Sequence, residues 1–299
     1  MSSINLNQAE IRQGNYRSLA KVISQVENAA DGAMDLLRQL KINYDIPVIG
    51  FTGPPGAGKS SLLNALLAKM ADKWRIAILA VDPTSPFTSG SILGDRYRMN
   101  DYFLHQNVFI RSLATRGNLG GLSARTIEIT DVLRSCAFDF IFIETVGVGQ
   151  SEVEIAALAD TTVLVLNPGA GDDIQALKAG IMEIADVFVI NKADRDQADA
   201  LMKHIQNMLR LRNQAHHPPI FKTVATEGIG IDLLTECLID KTRKQTDKLS
   251  LFYEKSIRLI ISNKMRDFDY KSLKNKLQAA TDSKDFNLYN FLHENYFRK

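Results

Sequence analysis

Apolar residues recur at helical spacing between about Gln8 and Leu40: Leu19, Ile23 and Val26, then Met34, Leu37 and Leu40. This predicts two helices broken near Gly32. The pattern then changes to short, near-continuous apolar runs: Pro47–Thr52 (PVIGFT), Ile76–Val81 (IAILAV), Phe138–Glu144 (FDFIFIE), Thr161–Leu166 (TTVLVL) and Asp186–Ile190 (DVFVI). Val108–Arg111 and Pro219–Thr223 are shorter runs of the same kind. These read as strands, with Lys59–Met70 and Gly120–Ala137 as helices among them. A polar, glycine-containing stretch from Thr84 to about Asn107 interrupts the alternation. Strands without polar alternation are buried on both faces, and helices between them imply a mainly parallel sheet covered on both sides. The expected class is therefore α/β. After about Asp240 the strand signals stop, and the tail is helical in pattern and rich in Lys, Asp and Asn. The expected organisation is a helical extension over 1–44, an α/β domain over 45–240 and a helical arm over 241–299.

Composition narrows the partners more than the fold. The chain has 299 residues, 45% of them hydrophobic, and a formal charge of +2. That is enough for a sizeable core, and the absence of a basic excess argues against a nucleic-acid partner. No run of about 18 apolar residues exists, so no membrane span is expected. The polar start, MSSINLNQAEIRQGNY, has no apolar segment of the signal-peptide kind. Cys136 and Cys237 lie far apart in apolar or helical sequence and read as buried thiols of a reducing cytoplasm.

Gly53–Ser60 reads GPPGAGKS, which is G-x-x-x-x-G-K-[ST] without a mismatch, placed after a strand and before a helix. In such a loop the backbone N–H groups of Gly53, Pro54 to Gly58, Lys59, Ser60 and Ser61 (the two prolines, Pro54 and Pro55, supplying only shape) curl round phosphate oxygens. The following helix adds its positive N-terminal end. Lys59 is expected to reach the β- and γ-phosphates, and the Ser60 hydroxyl to bind Mg²⁺. The alternative is a chance Gly-rich turn, and the loop alone does not separate GTP from ATP.

Asn191–Asp194 reads NKAD, directly after a predicted strand. An ionised carboxylate only accepts hydrogen bonds, and guanine offers two adjacent donors, N1–H and the N2 amino group. Asp194 can take both, whereas adenine would leave it facing a lone pair. Asn191, Lys192 and Asp194 are thus the expected guanine readers, against the alternative of a solvated polar loop. Ala225–Thr226, in VATEGIG, stands where GTPases often have a Ser-Ala pair with a backbone contact to guanine O6. Asp82 and Glu144 end predicted strands and suit direct or water-mediated Mg²⁺ binding, or else simple strand-end capping. Gly147 is a candidate N–H sensor of the γ-phosphate. Gln150 either orients the attacking water or belongs to the start of the next helix.

The segments SILGDRYRM, RGNLGGLSART, ETVGVGQSE and PGAGDDIQALKAGIMEIAD closely resemble the MeaB/ArgK-type GTPases, which include the human MMAA relative. The resemblance runs from about Asn15 to Leu234. It implies a P-loop NTPase of the SIMIBI type with GTP/GDP and Mg²⁺ as ligands, an N-terminal helical extension and a C-terminal arm that makes a homodimer. It also implies a cytoplasmic, GTP-dependent chaperone that gates adenosylcobalamin loading and protects methylmalonyl-CoA mutase. Carried over by motif, Asp95 is similar to a further Mg²⁺-associated carboxylate, and Lys178 to a mobile switch residue that relays nucleotide state. Ser89 stands where a Gly is common in the family, Asp173 where Glu is usual, and the tail after Asp240 matches weakly. Two other roles remain open. One is a lysine, arginine and ornithine transport-system ATPase or kinase. The other is a metallochaperone GTPase, for which His216–His217 is the one candidate metal element.

Overall fold

The computed structural model describes residues 6, 8–82, 99, 101–114, 124–145, 155–169, 181–211, 217–242, 248–265, 268–281 and 288–297. In chain order the elements are α1 (Gln8–Arg12), α2 (Arg17–Glu27), α3 (Ala33–Gln39), β1 (Val48–Thr52), α4 (Lys59–Met70), β2 (Ile76–Asp82), β3 (Val108–Ala114), α5 (Ala124–Arg134) and β4 (Phe140–Glu144). They continue as β5 (Thr161–Leu166), α6 (Ile181–Ile184), β6 (Val187–Asn191), α7 (Ala198–Arg210), β7 (Ile220–Thr223), α8 (Ile231–Thr242), α9 (Lys248–Met265), α10 (Tyr270–Thr281) and α11 (Leu288–Leu292).

Among the described residues the seven strands form one sheet in the order β3-β2-β4-β1-β5-β6-β7, and every pairing is parallel. The strand runs lack polar alternation because both faces are covered. Ile49, Phe51, Phe140, Phe142, Val163, Val165, Val187 and Val189 point to one face and pack with Leu62, Leu63, Leu66 and Leu67 of α4 and Ile231, Leu234 and Leu238 of α8. Their neighbours Leu164, Leu166, Phe188 and Ile190 point the other way, against Met182, Ala198, Ile205 and Leu209 of α6 and α7. The fold is that of an α/β P-loop NTPase.

At the N-terminal end of the sheet, three aspartates precede strands and each holds an N–H at or beside the start of a neighbouring strand. Asp160 accepts from Val48, Asp139 from Arg75 and Asp186 from Thr162, at 2.7, 2.7 and 2.8 Å. These N–H groups lie where the ladder begins, and the carboxylates satisfy them.

Two expectations need correction. The N-terminal segment forms three helices, with a first break at Gly14 besides the one at Gly32. Gly14 has φ +80°, and a Cβ there would lie 2.9 Å from the Gln106 backbone. Only glycine fits that approach. The third strand runs on from Arg111 to Ala114. Arg111 is tolerated there because its guanidinium bonds Glu27 Oε2 at 2.7 Å and Ser24 Oγ at 3.1 Å, both on α2.

The chain divides into two compact units, 1–255 and 256–299. The end of the first holds a buried charge cluster. Arg134 is fully buried, bonded to Ile46 O at 3.2 Å and paired with Asp160. Beside it lie Asp131 of α5 and Lys255 of α9. Among the described residues, neither Lys255 Nζ nor Asp131 Oδ1 has a hydrogen-bond partner. Burial, then the nearby Arg134 charge, pushes the Lys255 ammonium down to about 8 against the pull of Asp131 and Asp160, and burial pushes the Asp131 carboxyl up. Phe252 meets Tyr44 edge-on at 4.7 Å, and Arg134 lies 5.6 Å over the same Tyr44 ring. The second unit contains α10 and α11, with Phe268 and Phe291 flanking Tyr296.

Candidate functional site

The phosphate loop begins where central β1 ends, between β4 and β5, at the C-terminal edge where parallel sheets hold ligands. Gly58 has φ +92° and hands the chain into α4 at Lys59, as the spacing predicted. Lys59 is buried, and its ammonium donates to Gly53 O at 2.7 Å and Pro54 O at 3.1 Å. Ala57 N donates to Pro54 O at 3.2 Å, closing the turn. Pro55 and Gly56 at the tip are exposed. Ser60 is buried, while Ser61 is half-buried on the next position of α4.

Glu144 ends β4, beside β1, with Glu144 in register with Phe51. The Ser60 hydroxyl donates to Glu144 Oε1 at 2.6 Å, with both groups buried. A hydroxyl and a carboxylate in contact at the head of α4 are hard oxygen donors of the kind Mg²⁺ takes. Asp82 ends β2, one strand further out, and its side chain lies outside the described residues, as do Asp95, Gly147, Gln150 and Lys178.

The NKAD element starts on the last residue of β6, two strands from β1. Asn191 is buried and joins three loops. Its amide donates to Ala57 O at 3.0 Å and Gly58 O at 3.4 Å, and its oxygen accepts from Ala225 N at 3.1 Å and Thr223 Oγ1 at 3.2 Å. A Cβ at Gly58 would lie 2.3 Å from Asn191 Nδ2, so this contact requires glycine. Lys192 adopts φ 56°, left-handed for a residue with a side chain, and its ammonium donates to Gly56 O at 2.7 Å. Asp194 is exposed, and Thr226 is exposed in the 3₁₀ turn Ala225–Glu227.

Lys59, Ser60, Glu144, Asn191, Lys192 and Ala225 are thus gathered round one phosphate loop. Sequence reasoning missed Asn167, at the end of β5, whose Oδ1 takes a bond from Arg195 at 3.3 Å. It also missed Thr52 and Thr145, whose hydroxyls lie 3.2 Å apart. Their signal in the chain was position alone, one residue from Gly53 and one from Glu144. Among the described residues no group of three or more His, Cys, Asp and Glu side chains is disposed to hold a metal ion, and His216 lies outside them. No helix among them is long and apolar enough to cross a membrane.

Residues 19–281 match the family model described as methylmalonyl Co-A mutase-associated GTPase MeaB. The chain is 43% identical over 265 residues to a putative GTPase of Pyrococcus horikoshii, covering 84% of each. It is 37% identical over 223 residues to the mitochondrial methylmalonic aciduria type A homolog of Mus musculus, covering 72% of this chain and 53% of that one. Among solved structures, a LAO/AO transport system kinase superposes with a TM-score of 0.65 at 23% identity, covering 97% of both chains. At that identity the likeness is one of fold alone.

Proposed function

This chain belongs to the MeaB family of methylmalonyl-CoA mutase-associated GTPases, and from that membership we propose that it is a GTP-dependent chaperone of an adenosylcobalamin-dependent mutase. As a member of that family it binds guanine nucleotide and hydrolyses GTP. The partner favoured is methylmalonyl-CoA mutase, with the nucleotide state gating cofactor loading and protecting the loaded enzyme. The observation that carries this reading is the match of one mutase-associated family model across 19–281, beyond the nucleotide site at both ends.

The site residues fall into roles by their chemistry. The loop from Gly53 to Ser61 cradles the phosphates through its N–H groups, and Lys59 exchanges its carbonyl partners for β- and γ-phosphate oxygens. Ser60 and Glu144 hold Mg²⁺, with Asp82 and Asp95 as further carboxylates. When bound, the ion neutralises charge developing on the phosphates. Asp194 reads guanine N1–H and N2, Lys192 covers the base, and the Ala225–Thr226 backbone faces O6. Gly147 senses the γ-phosphate, Gln150 orients water, and Lys178 relays the outcome to the mutase. The helices beyond residue 240 serve a homodimer.

Size-exclusion chromatography with the cognate mutase tests the reading. The expected result is co-elution in the GTP-bound form and a GTP turnover raised by the mutase. Absence of both a complex and a stimulation overturns it. Lys59→Ala, which loses nucleotide binding or turnover, is the control.

A further inference from the structure

β1 and β4 lie side by side, and their pairing continues one step past the end of β4, where Thr145 N donates to Phe51 O at 3.0 Å. The Thr145 hydroxyl then lies 3.2 Å from Thr52 Oγ1 and 3.4 Å from Phe51 O. Both threonines are buried, at 0% and 1% exposure. Thr52 is the last residue of β1, directly before Gly53, and Thr145 directly follows Glu144. Together with the Ser60–Glu144 bond, this hydroxyl pair grips the end of β4 from both ends of the phosphate loop.

Packing alone does not ask for hydroxyls here, since valine has the same shape and no desolvation cost. The backbone bond already completes the ladder. What the hydroxyl pair adds is a second tie between the root of the loop and the strand end that carries Glu144. Phosphate and base recognition use other groups: the loop N–H groups, Lys59 and the NKAD residues. We infer that Thr145, acting through Thr52, is a positioning residue for hydrolysis that sets Glu144 against the phosphate loop. The inference rests on the proposed assignment of Glu144 to Mg²⁺.

Three readouts on the full chain, with no mutase present, test it. These are the affinity for a fluorescent GDP in EDTA, the Mg²⁺ concentration that half-maximally slows its release, and GTP turnover. For Thr145→Val the expected metal-free GDP affinity stays within about two-fold of wild type, while the Mg²⁺ requirement rises and turnover falls by about ten-fold each. Thr52→Val behaves alike. Thr145→Ser, which keeps the hydroxyl, restores both to within about three-fold. An unchanged Mg²⁺ requirement and turnover in Thr145→Val overturn the inference, and so does a serine variant that fails to rescue. A metal-free affinity that falls in parallel with turnover marks a merely structural role and also overturns it. A wild-type protein indifferent to Mg²⁺ overturns the Glu144 assignment itself, and with it the inference. Failure to bind mutase affects neither.

Discussion

The Asn191 amide donates to the Ala57 carbonyl, 134 positions earlier, at 3.0 Å, so the NKAD element and the phosphate loop are one hydrogen-bonded unit. With Ala225 N and Thr223 Oγ1 on the Asn191 oxygen, a single buried side chain sets the spacing of three loops.

Removing that side chain leaves buried donors and acceptors unpaired. Asn191→Ala is expected to lower stability by about 2 kcal/mol and to weaken GDP binding by about ten-fold or more. Asn191→Asp keeps the shape but turns an acceptor toward Ala57 O, and should be worse still. Melting curves with and without GDP check this, and a wild-type melting shift on GDP addition in either variant counts against it.

Asp194 is exposed, three positions after the buried Asn191, and its proposed role is to accept from guanine N1–H and N2. Asp194→Asn replaces one acceptor by a donor opposite guanine N2. GTP binding is expected to weaken by about a hundred-fold, with a gain toward xanthosine triphosphate, whose O2 accepts. Isothermal titration calorimetry with both nucleotides decides it. Wild-type GTP affinity in the variant would sink the guanine-reading role.

Lys255 gives a pH prediction. Its folded pKa, about 8, lies below the ordinary lysine value of 10.5, so the unfolded chain binds the proton more tightly. Stability attributable to this group therefore rises as pH climbs from about 8 toward 10. Below pH 8 the buried ammonium is a net cost. Lys255→Met should be more stable than wild type at pH 7.5 by on the order of 1–3 kcal/mol, with the gap narrowing by pH 9.5. Urea unfolding at the two pH values reads the difference, and a pH-independent gap refutes the account.

The chain announced its nucleotide loop and most of its sheet because those features are local. Gly53 to Ser60 carries a fixed spacing, and strands buried on both faces leave uninterrupted apolar runs. The helix start at Lys59 and the strand Thr161–Leu166 matched the structure to the residue. What stayed hidden depends on partners distant in the chain. Gly14 breaks a helix because Gln106 lies against it, and Arg111 stays in a strand because α2 supplies Glu27 and Ser24. Asn191 could be read as a guanine contact, but its bonds to Ala57 and Ala225 could not. Lys255 looked like any lysine of a polar helical tail until α5 was laid beside it.

The register of β1 has a consequence for synthesis on the ribosome. β1 emerges early, yet its two neighbours are residues 141–144 and 161–164. The phosphate loop therefore leaves the exit tunnel long before the strands that frame it, and the Asn191 staple arrives later still. Long-range parallel pairing of this kind forms late. A nascent chain arrested short of β6 carries the whole GPPGAGKS loop but lacks the Asn191 staple that ties it to the NKAD element, so ligand-assisted folding can begin only after β6 has been made.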